Sequence, residues 1–116
     1  MALQFNKLMD VASVATGASA SFYANPAATK TYVGSLLLHN TAGSDRVVTI
    51  NNVPDSGGSL GTAATTNQIF KITLAANESV LIEPKYPFVL TDTNDALFGL
   101  ADNTGVTVQA LGTTDA

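Results

Sequence analysis

From Lys30 onward, apolar and polar residues change places at every second position, and clusters of Gly, Asn, Asp, Ser and Pro interrupt the alternation at short intervals. A period of two puts one set of side chains on each face of an extended strand, whereas a helical face needs apolar residues three and four apart. The pattern therefore predicts an antiparallel, all-β body. In TYVGSLLLHNT, Val33, Ser35, Leu37 and His39 share one face, and Tyr32, Gly34, Leu36 and Leu38 share the other, which is the apolar one. DRVVTINNV follows a turn at Thr41–Ser44, and these two segments are expected to pair as a hairpin. QIFKITLAANESVLIEP reads as a second hairpin, with Phe70, Ile72, Leu74, Val80 and Ile82 inward and Lys71, Thr73, Ser79 and Glu83 toward water. PKYPFVL carries Pro84 and Pro87, which cannot donate to a ladder, so it belongs at a sheet edge or at a crossing between sheets. ALFGLA and VTVQALG, joined at Asp102–Gly105, complete the set, and VPDSGGSLGTAATTN is the longest loop.

About six to seven short alternating strands are most commonly buried as two sheets packed face to face. The expected fold is an antiparallel β-sandwich, jelly-roll or immunoglobulin-like. Residues 30–116 form this sandwich domain, and residues 1–29 read as an N-terminal arm, because Ala, Ser and Thr dominate Val11–Ala20 before FYANPAAT adds two aromatics and an Asn-Pro turn. Leu8, Val11, Ala12 and Ala15 share helical spacing, but Thr16, Gly17 and Ser19 interrupt it; helix and extended arm both remain open.

Composition narrows the function classes. The 116 residues suffice for one domain with a core of its own, and only 12% are charged, which suits a subunit covered by neighbours in an assembly. With a net charge of −4, and with Lys7, Lys30, Arg46, Lys71 and Lys85 scattered, no patch is suited to neutralising phosphates, so no nucleic-acid partner is expected. The absence of cysteine excludes disulfides, thiolate nucleophiles and Cys-ligated metals. Gln4, Asn6, Lys7 and Asp10 break the apolar start, so it is expected to be retained rather than cleaved as a signal peptide. No run approaches the roughly 20 apolar residues of a membrane span, and no membrane partner is expected.

Reactive chemistry is sparse. His39 is the sole imidazole, so any Ser-His-Asp arrangement would have to use it, yet it falls on the polar face near a strand end. GGSLGT at Gly57–Thr62 lacks the lysine and spacing of a phosphate loop. TDTNDA offers Asp92, Asn94 and Asp95 as oxygen ligands for calcium, but the same residues build ordinary turns and the EF-hand pattern fails. Glu78 and Glu83 fall on opposite faces and form no glycosidase pair. Phe22, Tyr23, Tyr32, Tyr86 and Phe88 could stack on sugars or fill a core and interfaces. No catalytic residue, cofactor or metal site is assigned, and the chain is read as a non-enzyme.

YVGSLLLHNTAGSDRVVTINNVP followed by NQIFKITLAANESVLIEPKYPFVLTDTNDALFGLADNTGVTVQAL, covering about Tyr32–Leu111, resembles small β-sandwich virion proteins of tailed bacteriophages, a group that includes capsid decoration (cement) and tail-associated subunits. The resemblance implies a structural protein at the virion's capsid surface, commonly a homotrimer, that binds the major capsid protein and stabilises the shell. Leu3, Phe5, Leu8, Val11, Phe22 and Tyr23 are then the expected partner-interface residues, unless the arm serves the domain's own edge and core. The alternatives are a tail, neck or fibre component, and a carbohydrate-binding or adhesive module.

Overall fold

A computed structural model describes residues 4–115, in which ten strands and one 3-10 turn form two antiparallel sheets packed face to face. The first sheet contains β1 (Gln4–Lys7), β2 (Ala12–Ser13), β4 (Lys30–Asn40), β7 (Ser79–Ile82), β8 (Phe88–Leu90) and β10 (Val106–Asp115). The second contains β3 (Ala20–Ala24), β5 (Arg46–Val53), β6 (Gln68–Leu74) and β9 (Ala96–Ala101). β1 and β2 lie end to end along one side of β10, and β7 and β8 lie end to end along the outer side of β4. If each of these pairs is counted as one interrupted strand, eight strands remain, in the orders 1-8-3-6 and 2-7-4-5. That interleaving is the jelly roll, and it decides between the two sandwich types expected from sequence.

The expected hairpins need correction. β4 and β5, β6 and β7, and β9 and β10 are joined by the predicted turns, but in each case the two strands belong to opposite sheets. β4 instead pairs with β10, and β9 pairs with β3 and β5. A tight turn reverses the chain across a core as readily as within a sheet, and the alternation of a strand is the same whichever partner it bonds. β5 and β6 form a hairpin between consecutive strands, around the long Pro54–Asn67 connection. The proline-bearing segment between β7 and β8 does lie at an edge.

The arm also needs correction. Strands β1 and β2 fill one edge of the first sheet, the Leu8 N–H donates to Ala110, and the Val14 N–H donates to Val106. The chain then crosses to the second sheet, where the Ala101 N–H donates to Ala15 and β3 pairs with β9. Val14 is buried in the core, with Leu8, Met9, Phe22 and Tyr23 packed against it. The segment is extended, not helical, and closes one side of both sheets. Its Ala- and Ser-rich composition concealed this because small side chains carry little periodic signal.

The inner faces bury Val33, Leu36, Leu38, Val48, Ile50, Leu74, Leu90, Leu97, Val106 and Val108. Each such side chain contributes about 1.5–3 kcal/mol on burial. Val33 and Leu36 both point inward because the β4–β10 register shifts between Leu111 and Gly112, leaving Gly34 as an unpaired extra residue. Such a bulge reverses the parity of a strand, so Tyr32 faces outward, not inward as the simple alternation implied. The bulge also brings the backbones together. A Cβ on Gly112 would sit 2.0 Å from the Tyr32 carbonyl oxygen, whereas one on Gly34 would meet nothing nearer than 3.8 Å. Gly112→Ala should therefore cost about 3 kcal/mol in chemical denaturation and Gly34→Ala less than about 1 kcal/mol; equal costs would refute this account of the bulge.

Candidate functional site

Most of the polar side chains that sequence offered for chemistry are engaged in holding the chain together at the ends of the sandwich. Asn40 terminates β4 and is fully buried. Its Nδ2 donates toward the carbonyls of Ser44 (2.9 Å), Ala75 (3.1 Å) and Leu74 (3.2 Å), and its Oδ1 accepts the Ala42 N–H (2.9 Å). One side chain thus fastens the β4–β5 turn to the β6–β7 turn. Beside it the Glu78 carboxylate accepts the Ala75 N–H, and Thr41 donates to Gly105 of the β9–β10 turn.

Asn25 does the same at the opposite end. Its Nδ2 donates to the Thr29 (2.7 Å) and Asp92 (3.0 Å) carbonyls, and its Oδ1 accepts the buried Thr31 hydroxyl (2.6 Å). Its backbone N–H and carbonyl bond to Asp95 and Asn94 respectively. The turn that resembled a calcium loop is held by these bonds. Both Asp95 oxygens face backbone donors: Oδ1 accepts the Asp55 N–H (2.8 Å), and Oδ2 accepts those of Asp92 (3.0 Å) and Thr91 (3.1 Å). Among the described residues no three His, Asp or Glu side chains gather as metal ligands. Burial alone would push the Asp95 carboxyl up, but the N–H groups of Asp92, Asp55 and Thr91, with the Thr91 hydroxyl, hold it below the ordinary range.

His39 lies on the outer face of the first sheet, opposite Ser79 of β7 and Thr107 of β10. Its Nδ1 is 2.7 Å from the Ser79 hydroxyl. This is a cross-strand polar pair on an open face, and the neighbouring Glu78 carboxylate is turned to its own Ala75 N–H. Glu83 lies in the connection after β7.

Two surfaces remain as places where a partner could sit. On the outer face of the second sheet, Val53, Ala96 and Phe98 form a small apolar cluster covered by Ala63 of the long loop. Asn51 fixes that cover by donating to the Ala64 carbonyl and to Asn67 Oδ1, each at 2.8 Å. Beside the cover is a shallow hollow of about 220 Å³, lined by Ser19, Thr49, Asn51, Ala63, Ala64, Gln68 and Leu100. The outer face of the first sheet has no such cover: Leu37, Leu81 and Val89 are 36%, 52% and 43% exposed.

The expected interface residues that are described fall in different settings. Leu3 lies outside the described residues, and Phe5 is opposite Thr113 in the β1–β10 ladder. Leu8, Phe22 and Tyr23 pack on the domain's own core, and Val11 is 58% exposed. The sequence places Leu37 on the outward face, as three consecutive leucines at Leu36–Leu38 require of one of them, but neither it nor Leu81 is among the expected contact residues.

No family model and no curated protein matches the chain. Among solved structures it is similar to one titled "Structure of infectious bursal disease virus Gt strain", at 10% identity and a TM-score of 0.35, over 97% of this chain and 32% of that chain. The chain spans about a third of that longer chain, and so loose a superposition carries no inference about function.

The depressed Asp95 carboxyl makes a signed prediction. Its contribution to stability is complete above the unfolded value of 3.8 and is lost as pH falls from there through the lower folded value. Asp95→Asn should lower the melting temperature at neutral pH and flatten its decline below about pH 4. Parallel acid-side melting curves for the two proteins would contradict the assignment.

Proposed function

We propose that the chain is a non-enzymatic structural subunit of a virion: a capsid decoration protein of a tailed bacteriophage, associating as a homotrimer and stabilising the major capsid protein shell. The observation that carries this reading is that Asn25, Asn40 and Asp95 fasten the ends of a jelly roll and Asn51 fastens its long loop, while a sheet face with exposed Leu37, Leu81 and Val89 stays open. Jelly rolls serve in viral capsids and in lectins, so the fold supplies an analogy and the surface must supply the role. A face of this kind suits contact with protein.

A lectin-like reading has one specific observation in its favour. The hollow beside Ser19 presents Thr49, Asn51 and Gln68, the uncharged polar groups that hydrogen-bond sugars. The apolar part of that surface is already occupied by the loop, which favours the structural reading.

The test is co-sedimentation of the full chain with capsids assembled from the major capsid protein encoded near its gene. The reading predicts saturable binding at a fixed ratio to capsid subunits and a higher temperature of capsid disruption. Absence of binding, or binding to immobilised glycans instead, would overturn it.

A further inference from the structure

The hollow beside the long loop is assembled on the outer face of the second sheet from side chains that the register sets in rows. Thr49 of β5 stands directly opposite Leu100 of β9, and Asn51 of β5 stands opposite Gln68 of β6. Continuing the β3–β9 register one place beyond the Ala20–Gly99 pair brings Ser19 beside Leu100. Ala63 and Ala64 complete the lining from the loop. The lining thus offers two hydroxyls and two carboxamides around a leucine and two alanines, and none of its residues is charged. Lys71, exposed and opposite Thr49 in the β5–β6 ladder, stands just outside it. Two of the polar groups are set up for an occupant. Asn51 is 4% exposed, and its Nδ2 is spent on the Ala64 carbonyl and Asn67 Oδ1, which holds the carboxamide in one orientation and leaves its Oδ1 to accept. The Ser19 hydroxyl oxygen is buried and meets no hydrogen-bond partner among the described residues, so turning about χ1 into the hollow forfeits no bond.

We infer that this hollow binds one neutral sugar ring. A phosphate or carboxylate ligand calls for a cation in the lining, and a metal ion calls for carboxylates or imidazole; the hollow has neither. An apolar ligand would leave the two hydroxyls and two carboxamides without partners. A pyranose ring carries hydroxyls that both donate and accept, which match Ser19, Thr49, Asn51 and Gln68, and C–H groups that suit Leu100 and the alanines. The volume of about 220 Å³ falls below the roughly 300–1,000 Å³ of pockets for drug-sized ligands, and so fits a single ring rather than an enclosed oligosaccharide. Each site is then weak alone, and useful binding would come from many copies acting together. The hollow lies on the opposite sheet from exposed Leu37 and Leu81, so a sugar bound there leaves that face free for the capsid contact of the virion reading. The inference does not rest on that reading.

The test is amide chemical-shift mapping by NMR on the full chain, titrated with the methyl glycosides of glucose, galactose and mannose to about 100 mM, with glycerol and glucuronate as controls. At least one glycoside should shift the amides of Ser19, Thr49, Gln68 and Leu100 saturably, with a Kd on the order of millimolar. Thr49→Val keeps a β-branched residue in the strand, and Gln68→Ala alters an exposed position, so both should fold with the remaining amide spectrum unchanged. Each should weaken binding at least fivefold, whereas Lys71→Gln should change it less than twofold. No shift with any glycoside, an equal response to glycerol, or shifts that persist unchanged in both Thr49→Val and Gln68→Ala would overturn the inference. Stronger binding of glucuronate that is lost in Lys71→Gln would overturn the neutral class. Capsid co-sedimentation is read separately: sugar binding without capsid binding retains this inference and loses the virion role, and capsid binding without sugar binding does the reverse.

Discussion

The connections at the two ends of the sandwich depend on buried asparagine side chains that hydrogen-bond backbone. A jelly roll sends most consecutive strands to opposite sheets, here all but β5 and β6, so most of its turns receive no ladder bonds from the strands they join. The carbonyls exposed at such corners would be costly if buried without partners, at about 1–3 kcal/mol each. Asn40 meets three of them with one amide, and Asn25 meets two more at the other end of β4. An amide is suited to this role because it donates and accepts from the same rigid plane. Between these anchors, β4 and β10 run as long central strands, and short interrupted strands line both edges of their sheet. Interrupted edges present few consecutive free backbone groups and so resist indiscriminate strand addition.

The two-residue period from Lys30 onward was enough to identify the strands and most turns, because burial on one face dictates it. It did not identify the strands' partners. Turn chemistry records a reversal of direction, and Asn40 and Asn25 look like ordinary turn residues until the carbonyls that they reach, 34 and 67 positions away at Leu74 and Asp92, are known. The Gly34 bulge was hidden for a related reason: a single extra residue shifts the faces of a strand without altering its composition. The N-terminal segment was obscured by its small residues, and its role becomes visible only in the ladders to β10 and β9. At the candidate site, the outward orientation of Leu37 was legible in the alternation, and the supporting role of Asp95 was within reach through Asx-turn chemistry.

These constraints connect the fold to the proposed role. Acidic groups cluster at the corners, where they accept backbone N–H groups, as Asp95, Glu78 and Asp102 do. The middle of the first sheet is thereby left to present neutral and apolar side chains on its outer face, with Lys7, Lys30 and Asp115 at the margins. The chain's low charge content and its open sheet face are consequently one property, seen first in composition and then in space. A subunit built this way is suited to contact with other protein surfaces, and its stability derives from its own corners.

The most direct test of the central claim is hydrogen exchange of the Asn40 side-chain amide, followed by NMR in the intact protein. If Asn40 fastens two turns from opposite sheets, its Nδ2 protons will exchange as slowly as the backbone amides of central β4, because both open only when the sandwich opens. Exchange at the rate of a solvent-exposed asparagine, in a protein whose β4 amides remain protected, would contradict the account.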